Sequence, residues 1–165
     1  MIAILKTIFK PIGAFLASPV KRCLLLIGIL IMVTVGEFIY LGLVRKTFVF
    51  YNIGSGVIAV EDRMLIHSKS REDNIIRYTE ETLLGPVSPD LMPLFPRGTR
   101  LRSLLYRDGT VYIDLTGDAA LPPIEGGSVL ENFQTFYASI FRNFSYVKNV
   151  RFFIEGNAVY TDEFR

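Results

Sequence analysis

The most extended hydrophobic pattern in the chain is an almost uninterrupted apolar run from Cys23 to Val44. At about 1.5 Å per residue, a helix over this range extends about 33 Å, which is enough to cross a hydrocarbon layer of about 30 Å. Glu37 is the only charged residue in the run and lies near its end, beside Phe38 and Tyr40, where aromatic residues often mark the membrane interface. The pattern predicts a transmembrane helix.

Basic residues are distributed unevenly around this predicted helix. Four precede it and two follow it closely: Lys6, Lys10, Lys21, Arg22, Arg45 and Lys46. The positive-inside rule then places the N-terminus in the cytoplasm. The prediction is a single-pass protein of the cytoplasmic (inner) membrane with three parts: a basic, amphipathic cytoplasmic segment at 1–22, a transmembrane helix at 23–44 and an extracytoplasmic or periplasmic domain at 45–165. A cleaved signal peptide is the alternative, although the segment before the apolar run is long for one.

Short extended segments are predicted directly after the anchor. Thr47 to Tyr51 is β-branched and aromatic, which is typical of a strand, and a turn-prone sequence rich in glycine follows it. Val57 to Val60 and Met64 to His67 are apolar enough to form two further short strands. The charged pair Glu61-Asp62 separates them, so the pattern predicts two pieces and an interruption.

A helical pattern begins at Ser70, where the sequence has the form of a helix cap. Apolar residues then recur at helical spacing up to Leu83. Gly85-Pro86 ends the helix, because glycine accepts the left-handed conformation and proline cannot continue a helix. The connection from Val87 to Phe95 is expected to be irregular.

The clearest turn signal is Asp108-Gly109, which favours a type I′ turn between two strands at 100–107 and 110–116. In this register Leu104 faces Ile113, Tyr106 faces Val111 and Ser103 faces Asp114. Arg102 then falls on the same face as the apolar Leu104. The register alone therefore does not decide which face of the hairpin meets the helices.

The most regular pattern is a second helix that opens with a capping box at Ser128. Its apolar stripe is mostly aromatic and indicates a core face: Val129, Phe133, Phe136, Tyr137, Ile140, Phe141 and Phe144. The preceding stretch, 117–127, is expected to be a loop, and strands are expected at 150–154 and 158–160. This order of elements predicts an α+β fold, a small two-layer sandwich with two helices packed on a mixed or antiparallel sheet.

Composition narrows the possible functions. Six basic residues and one acidic residue fall in 1–46, against twelve basic and fifteen acidic residues in 47–165, so the overall basic balance belongs to the anchor. The domain therefore has no basic stripe of the kind that nucleic-acid binding requires, and no nucleic-acid partner is expected. A single cysteine excludes an intramolecular disulfide.

Candidate catalytic chemistry is sparse. His67 is the only histidine and the only cysteine lies in the predicted anchor, so no metal site and no cofactor are expected. A nucleophile, histidine and aspartate set would have to combine Ser68 or Ser103 with His67 and Asp114, and no strand–turn–nucleophile motif accompanies them. Asp114 is better interpreted as an acceptor of hydrogen bonds from a neighbouring turn. No catalytic residue is predicted.

Four segments in order resemble the GerMN domain of sporulation and germination proteins: 81–86 (ETLLGP), 96–101 (PRGTRL), 111–116 (VYIDLT) and 150–156 (VRFFIEG). The resemblance covers about Phe48 to Tyr160. It implies a bacterial, non-enzymatic extracytoplasmic module, similar to the ring-building motifs of secretion-type assemblies. The matching positions are then expected to determine the fold: Leu83, Gly85, Pro86, Pro96, Gly98, Thr99, Asp114 and Gly156. One domain with a transmembrane anchor departs from family members that have two domains or a lipoprotein signal, and a spore role stays open.

The function expected is therefore a membrane-anchored, non-enzymatic assembly or scaffold module of the bacterial cell envelope. Its partners would be the lipid bilayer and either copies of itself or other envelope proteins. The alternative is a module that binds an envelope polymer or peptide through a surface formed by Arg100, Arg102, Tyr106 and Tyr112. A hydrolase is a remote third hypothesis.

Overall fold

The structure of the protein is a computed structural model that describes residues 18–123 and 128–160. The chain divides into two units after Gly42. The first contains helix α1 (Pro19–Leu41), which begins with a proline and is followed by Gly42 in the left-handed conformation (φ 52°). Within α1, Pro19–Glu37 has a mean hydropathy of 1.9 and is long and apolar enough to cross a membrane, as transmembrane anchors and signal sequences both are. Most of the predicted cytoplasmic segment lies outside the described residues.

The second unit begins at Leu43 and is an α+β domain, the fold class that the sequence predicted. Its first strand includes Leu43 and Val44, which the sequence pattern assigns to the transmembrane helix. Its elements are β1 (Leu43–Asn52), β2 (Ile58–Ile66), α2 (Arg71–Leu84), β3 (Leu91–Met92), β4 (Leu101–Arg107), β5 (Thr110–Leu115), a short 3-10 helix (Gly117–Ala120), α3 (Val129–Asn143), β6 (Asn149–Ile154) and β7 (Asn157–Val159). The strands form two sheets, in the orders β2-β1-β3 and β4-β5-β6-β7. Strands β5 and β6 are parallel and the other pairs are antiparallel, so the larger sheet is mixed.

The predicted interruption of β2 at Glu61-Asp62 is wrong, because β2 is one continuous strand paired with β1. Both carboxylates have partners that let the ladder continue. Glu61 accepts hydrogen bonds from Arg63 and from backbone N–H groups of the loop after α2, and Asp62 accepts one from the Thr47 hydroxyl at 2.7 Å. A charged pair in an otherwise apolar strand is therefore satisfied by its neighbours.

Two segments expected to lack regular structure contain short elements. Within the predicted irregular connection 87–95, Leu91 and Met92 form β3 and pair with the end of β1. Within the predicted loop 117–127, residues 117–120 form a 3-10 helix, in which the Ala119 N–H donates to the Thr116 carbonyl at 3.0 Å. Part of that loop, 124–127, lies outside the described residues.

Both predicted helix starts are confirmed. The Ser70 hydroxyl accepts a hydrogen bond from the Asp73 N–H at 3.2 Å, and the Ser128 hydroxyl accepts one from the Glu131 N–H at 3.3 Å. These bonds satisfy donors that the first turn of a helix leaves without intrahelical partners. Gly85 follows α2 with φ 87°, a conformation that favours glycine.

The β4–β5 hairpin has the predicted turn and register, and Asp108 and Gly109 both have positive φ. A β-bulge between Leu101 and Ser103 decides which face of the hairpin Arg102 lies on. Because of this irregularity Arg102 is exposed, while Leu101 and Leu104 pack against the core. The inner face of the hairpin is consequently apolar.

One hydrophobic core joins α2, α3 and both sheets. The ring of Tyr78 on α2 stacks on Phe48 of β1 with centroids 4.6 Å apart, and its hydroxyl donates to the Thr47 carbonyl at 3.0 Å. Burial raises the pKa of Tyr78 to about 12, so the hydroxyl stays protonated as a donor. On the other side of the core, Phe133 of α3 meets Phe152 of β6 edge to face, with centroids 5.0 Å apart.

Candidate interaction surfaces

The first candidate surface is the exposed face of β2, an edge strand of the smaller sheet. We define the β2 surface by the side chains at alternate positions along this strand: Ile58, Val60, Asp62, Met64 and Ile66. Its four apolar side chains are between 43% and 58% exposed. An edge strand with exposed apolar side chains is a common site of strand addition. No surface was predicted here from the sequence, although the alternation of apolar residues on both sides of the charged centre was its signal.

On the opposite face of β2, charged side chains form hydrogen bonds that connect the strand to the end of α2. The Arg63 guanidinium donates to Glu61 at 2.6 Å, to Glu81 at 3.0 Å and to the Gly85 carbonyl at 2.7 Å. The same guanidinium lies 4.9 Å from the ring centroid of Phe48. The side chains of Arg63 and Glu61 are only 12% and 17% exposed, so this cluster is largely shielded from solvent.

The pKa of Glu61 reflects two opposing influences. Burial is the largest single influence and raises the pKa. Hydrogen bonds from Arg63 and from the backbone N–H groups of Ser88 and Val87, together with the charge of Arg63, outweigh burial and lower the pKa below its ordinary value. Glu61 is therefore held as a carboxylate.

The second candidate surface is the face of the larger sheet that points away from the core, which we call the outer sheet face. Strand register places Leu105, Tyr112 and Arg151 in one row across three strands. Phe153 lies in the next row, and its ring centroid is 6.4 Å from that of Tyr112. Leu105 is 52% exposed. Aromatic and aliphatic groups next to an arginine make a surface suited to polymers and peptides.

Asp114 lies on the outer sheet face and is held in two ways. It accepts a hydrogen bond from the Gly156 N–H at 2.9 Å, the kind of turn contact that the sequence indicated. The Arg102 guanidinium lies 3.4 Å from its other oxygen. Within residues 18–123 and 128–160, no hydrogen bond joins His67 to Asp114, and no group of three or more His, Cys, Asp or Glu residues has the arrangement of a metal site.

The structure separates the residues predicted to form an interaction surface. Arg100 and Arg102 are exposed and Tyr112 lies on the outer sheet face. Tyr106 does not belong with them, because it lies on the inner face of the hairpin, where its hydroxyl donates to the Tyr146 carbonyl at 3.3 Å. Alternation along β4 is the reason, since Leu105 takes the outward position next to it.

The positions that the family resemblance marks as fold-determining lie at turns and element ends: Leu83, Gly85, Pro86, Pro96, Gly98, Thr99, Asp114 and Gly156. Gly98 and Gly156 have positive φ, and the Thr99 N–H donates to the Pro96 carbonyl at 3.1 Å across the turn before β4. Leu83, Gly98 and Thr99 line one cleft between the end of α2 and that turn. Their role as fold determinants stays a prediction.

Two solved structures share this fold. The first GerMN domain of the sporulation protein GerM from Bacillus subtilis is 18% identical over 70% of this chain and 86% of its own, with a TM-score of 0.54. The tandem GerMN domains of the same protein are 14% identical, with a TM-score of 0.55 over 72% of this chain. This chain spans 41% of the length of that tandem-domain chain. A comparison with curated proteins finds no match.

The fold from Leu43 onward is therefore that of a GerMN domain. A family model described as Germane, sporulation and spore germination, matches residues 49–160. Because this match covers most of the chain, the protein belongs to the Germane family of sporulation and spore germination domains. The resemblance found in the four sequence segments is confirmed.

Proposed function

We propose that this protein is a single-pass protein of the bacterial cytoplasmic membrane whose GerMN domain acts outside the cytoplasm as a non-enzymatic assembly or scaffold module of the cell envelope. Helix α1 supports the anchor, since its apolar stretch is long enough to span a bilayer. Lys21 and Arg22 lie in the first turn of α1, before the apolar run that begins at Cys23, and favour a cytoplasmic N-terminus. The protein would then meet its partners at the membrane surface.

The observation that carries the proposed assembly role is the β2 surface. Monomeric soluble domains rarely leave a long edge strand with exposed apolar side chains unprotected, because such an edge pairs with other chains. Ile58, Val60 and Met64 are each more than half exposed. A partner that packs on these side chains would remove that apolar surface from water, and a partner that adds a strand would cover part of it.

The assembly proposal predicts that the full-length chain, purified in a mild detergent, has a mass above that of one protomer at micromolar concentration. Val60→Lys should return it to a monomer, because a charge in the buried part of an interface is costly. The matched control is Leu105→Lys, which places the same charge at an equally exposed position on the outer sheet face. Light scattering with a correction for detergent measures the mass.

Two results of that measurement would contradict the proposal in different ways. A wild-type chain that stays monomeric over the whole concentration range removes self-assembly. If the mass falls with Leu105→Lys and not with Val60→Lys, the interface lies on the outer sheet face and not on the β2 surface.

A second candidate function is recognition of an envelope polymer or peptide by the outer sheet face. It is favoured by Leu105, Tyr112 and Phe153 on one face, with Arg102 and Arg151 beside them. Sugars and peptides bind such faces through aromatic contacts, and guanidinium groups pair with their carboxylates.

The polymer-binding candidate predicts that the protein in detergent sediments with purified peptidoglycan. Retention should fall about a hundredfold or more when Arg102→Ala and Arg151→Ala are combined, since two charge-assisted contacts of about 1.5–3 kcal/mol each are lost. Arg77→Ala, an exposed change on α2, is the control that should bind normally. Absence of retention of the wild-type protein would eliminate this candidate.

A further inference from the structure

Strand β2 has a sequence that is nearly symmetric about Asp62. Residues at equal distances on the two sides have matching or complementary character, in the pairs Glu61 with Arg63, Val60 with Met64, Ala59 with Leu65 and Ile58 with Ile66. Charges of opposite sign lie next to the centre and apolar residues lie outside them. A strand with this symmetry can pair with an antiparallel copy of itself so that apolar residues lie opposite apolar residues and Glu61 lies opposite Arg63.

We propose that two copies of this chain join edge to edge through β2, antiparallel and in the register that places Asp62 opposite Asp62 of the second copy. This deepens the assembly function proposed above and rests on it. Ile58 then lies opposite Ile66 of the second copy, and Val60 opposite its Met64. Glu61 lies opposite Arg63 of the second copy. The two smaller sheets become one continuous sheet with a two-fold axis through its centre.

The charge pattern selects this register over its neighbours. Side chains directly opposite each other in an antiparallel pair share a face, so the strand can shift only by steps that preserve the two faces. If the register shifts so that the two-fold axis passes through Arg63, the two Arg63 residues lie opposite each other and Asp62 lies opposite Met64. The step that centres it on Glu61 sets two glutamates against each other and places Asp62 opposite Val60. Only the register centred on Asp62 matches apolar residues in every outer row.

The one like-charged row of the proposed register is compensated within each copy. The Asp62 carboxylate accepts hydrogen bonds from the Thr47 hydroxyl at 2.7 Å and from the Arg45 guanidinium. Each carboxylate at the axis therefore brings its own cation. The row becomes a cluster of two acids and two bases, and the repulsion that two bare carboxylates would have is offset.

Other strand edges in the described part of the chain are less suited to pairing. The Tyr106 N–H of β4 donates to the Glu72 carboxylate at 2.7 Å, so α2 already occupies that edge. Strands β3 and β7 have two and three residues. Strand β2, with nine residues, is bonded to β1 on one side. The described residues contain no backbone hydrogen bond from another segment to its opposite side.

The register can be tested by disulfide crosslinking of the full-length chain in membranes, in a Cys23→Ser background. Directly opposed residues have Cβ atoms about 4.5–5.5 Å apart, close to the separation of about 3.5–4.5 Å in disulfides. Asp62→Cys should form a disulfide-linked dimer with itself on mild oxidation. Ile58→Cys and Ile66→Cys should form at least tenfold more dimer when the two variants are coexpressed than when either is expressed alone.

Leu105→Cys is the control for random collision, since it is equally exposed on the outer sheet face. The pair Ile58→Cys and Ile66→Cys keeps the test valid if Asp62→Cys disturbs the fold, because neither isoleucine makes a side-chain hydrogen bond. Crosslinking no greater than that of Leu105→Cys, in a chain whose mass still shows oligomers, would overturn the β2 register and leave the assembly function standing. A chain that is monomeric by mass would overturn both.

Discussion

Replacing Phe152 by alanine is expected to lower the free energy of unfolding of the GerMN domain by about 3–5 kcal/mol. Phe152 is 1% exposed, and its ring centroid lies 5.0 Å from that of Phe133 and 5.7 Å from that of Phe136. Truncation removes the buried ring and leaves a cavity between β6 and α3. A domain of this size has a total stability of about 5–15 kcal/mol, so the variant should unfold at a much lower urea concentration.

The next residue along the strand supplies the control for this prediction. Phe153 has the same chemistry but points to the outer sheet face, where it is partly exposed. Phe153→Ala should cost less than Phe152→Ala, about 1–2 kcal/mol, because part of the Phe153 ring is already in contact with water in the folded domain. Urea denaturation of residues 43–165, followed by circular dichroism, measures both variants. Equal losses from Phe152→Ala and Phe153→Ala would show that the face assignment of β6 is wrong.

Arg63→Ala is expected to cost about 2–4 kcal/mol, somewhat less than the loss of one partner from a fully buried ion pair. The substitution leaves the carboxylate of Glu61 shielded from solvent without its cation, and it leaves the Gly85 carbonyl without a donor. Arg45→Ala is the matched control. Its partner Asp62 is in a solvent-exposed pair, so the expected loss of stability is much smaller than that of Arg63→Ala.

The pairing of Arg63 with Glu61 also predicts that the stability of the domain depends on pH. The pKa of Glu61 is lowered in the folded protein from an ordinary value of 4.5. The contribution of this carboxylate to stability is therefore complete above the unfolded pKa and is lost as the pH falls through the folded pKa. Unfolding measured between about pH 3 and pH 7 should show a shallower acid limb for Arg63→Ala than for the wild-type domain. Parallel curves would contradict the proposed role of Arg63.

Features with a local cause could be predicted from the sequence. Ser70 and Ser128 begin helices because a serine hydroxyl can accept a hydrogen bond from an N–H three residues later. Asp108-Gly109 fixes the hairpin register because few residue pairs accept positive φ in a two-residue turn. The aromatic stripe of α3 marks a core face because its spacing matches the helical period.

Features that depend on distant partners could not be predicted. The division of the strands into two sheets follows from the pairing of β1 with β2 and of β5 with β6, and no local pattern specifies either pairing. The continuity of β2 depends on Thr47 and on the loop after α2, which supply donors to Glu61 and Asp62. The bulge that turns Arg102 outward likewise leaves no mark in the sequence.

Of the two candidate surfaces, the outer sheet face could be predicted in part from the sequence and the β2 surface could not. Tyr112 and Arg102 could be named from the sequence because they belong to a hairpin with a clear turn signal. The β2 surface was missed because the charged pair Glu61-Asp62 concealed the alternation of its apolar residues. Exposure of Val60 and Met64 is a property of the sheet edge, and the order of strands in the sheet decides it.

A topology reporter tests most directly whether a retained membrane anchor displays the GerMN domain outside the cytoplasm, as we propose. A reporter active only outside the cytoplasm would be fused after Arg165, and the product would be sized in the membrane and soluble fractions. We expect an active reporter on a full-length product that stays in the membrane. An inactive reporter would contradict the orientation, and an active reporter on a shortened, soluble product would show that the apolar helix is a cleaved signal peptide.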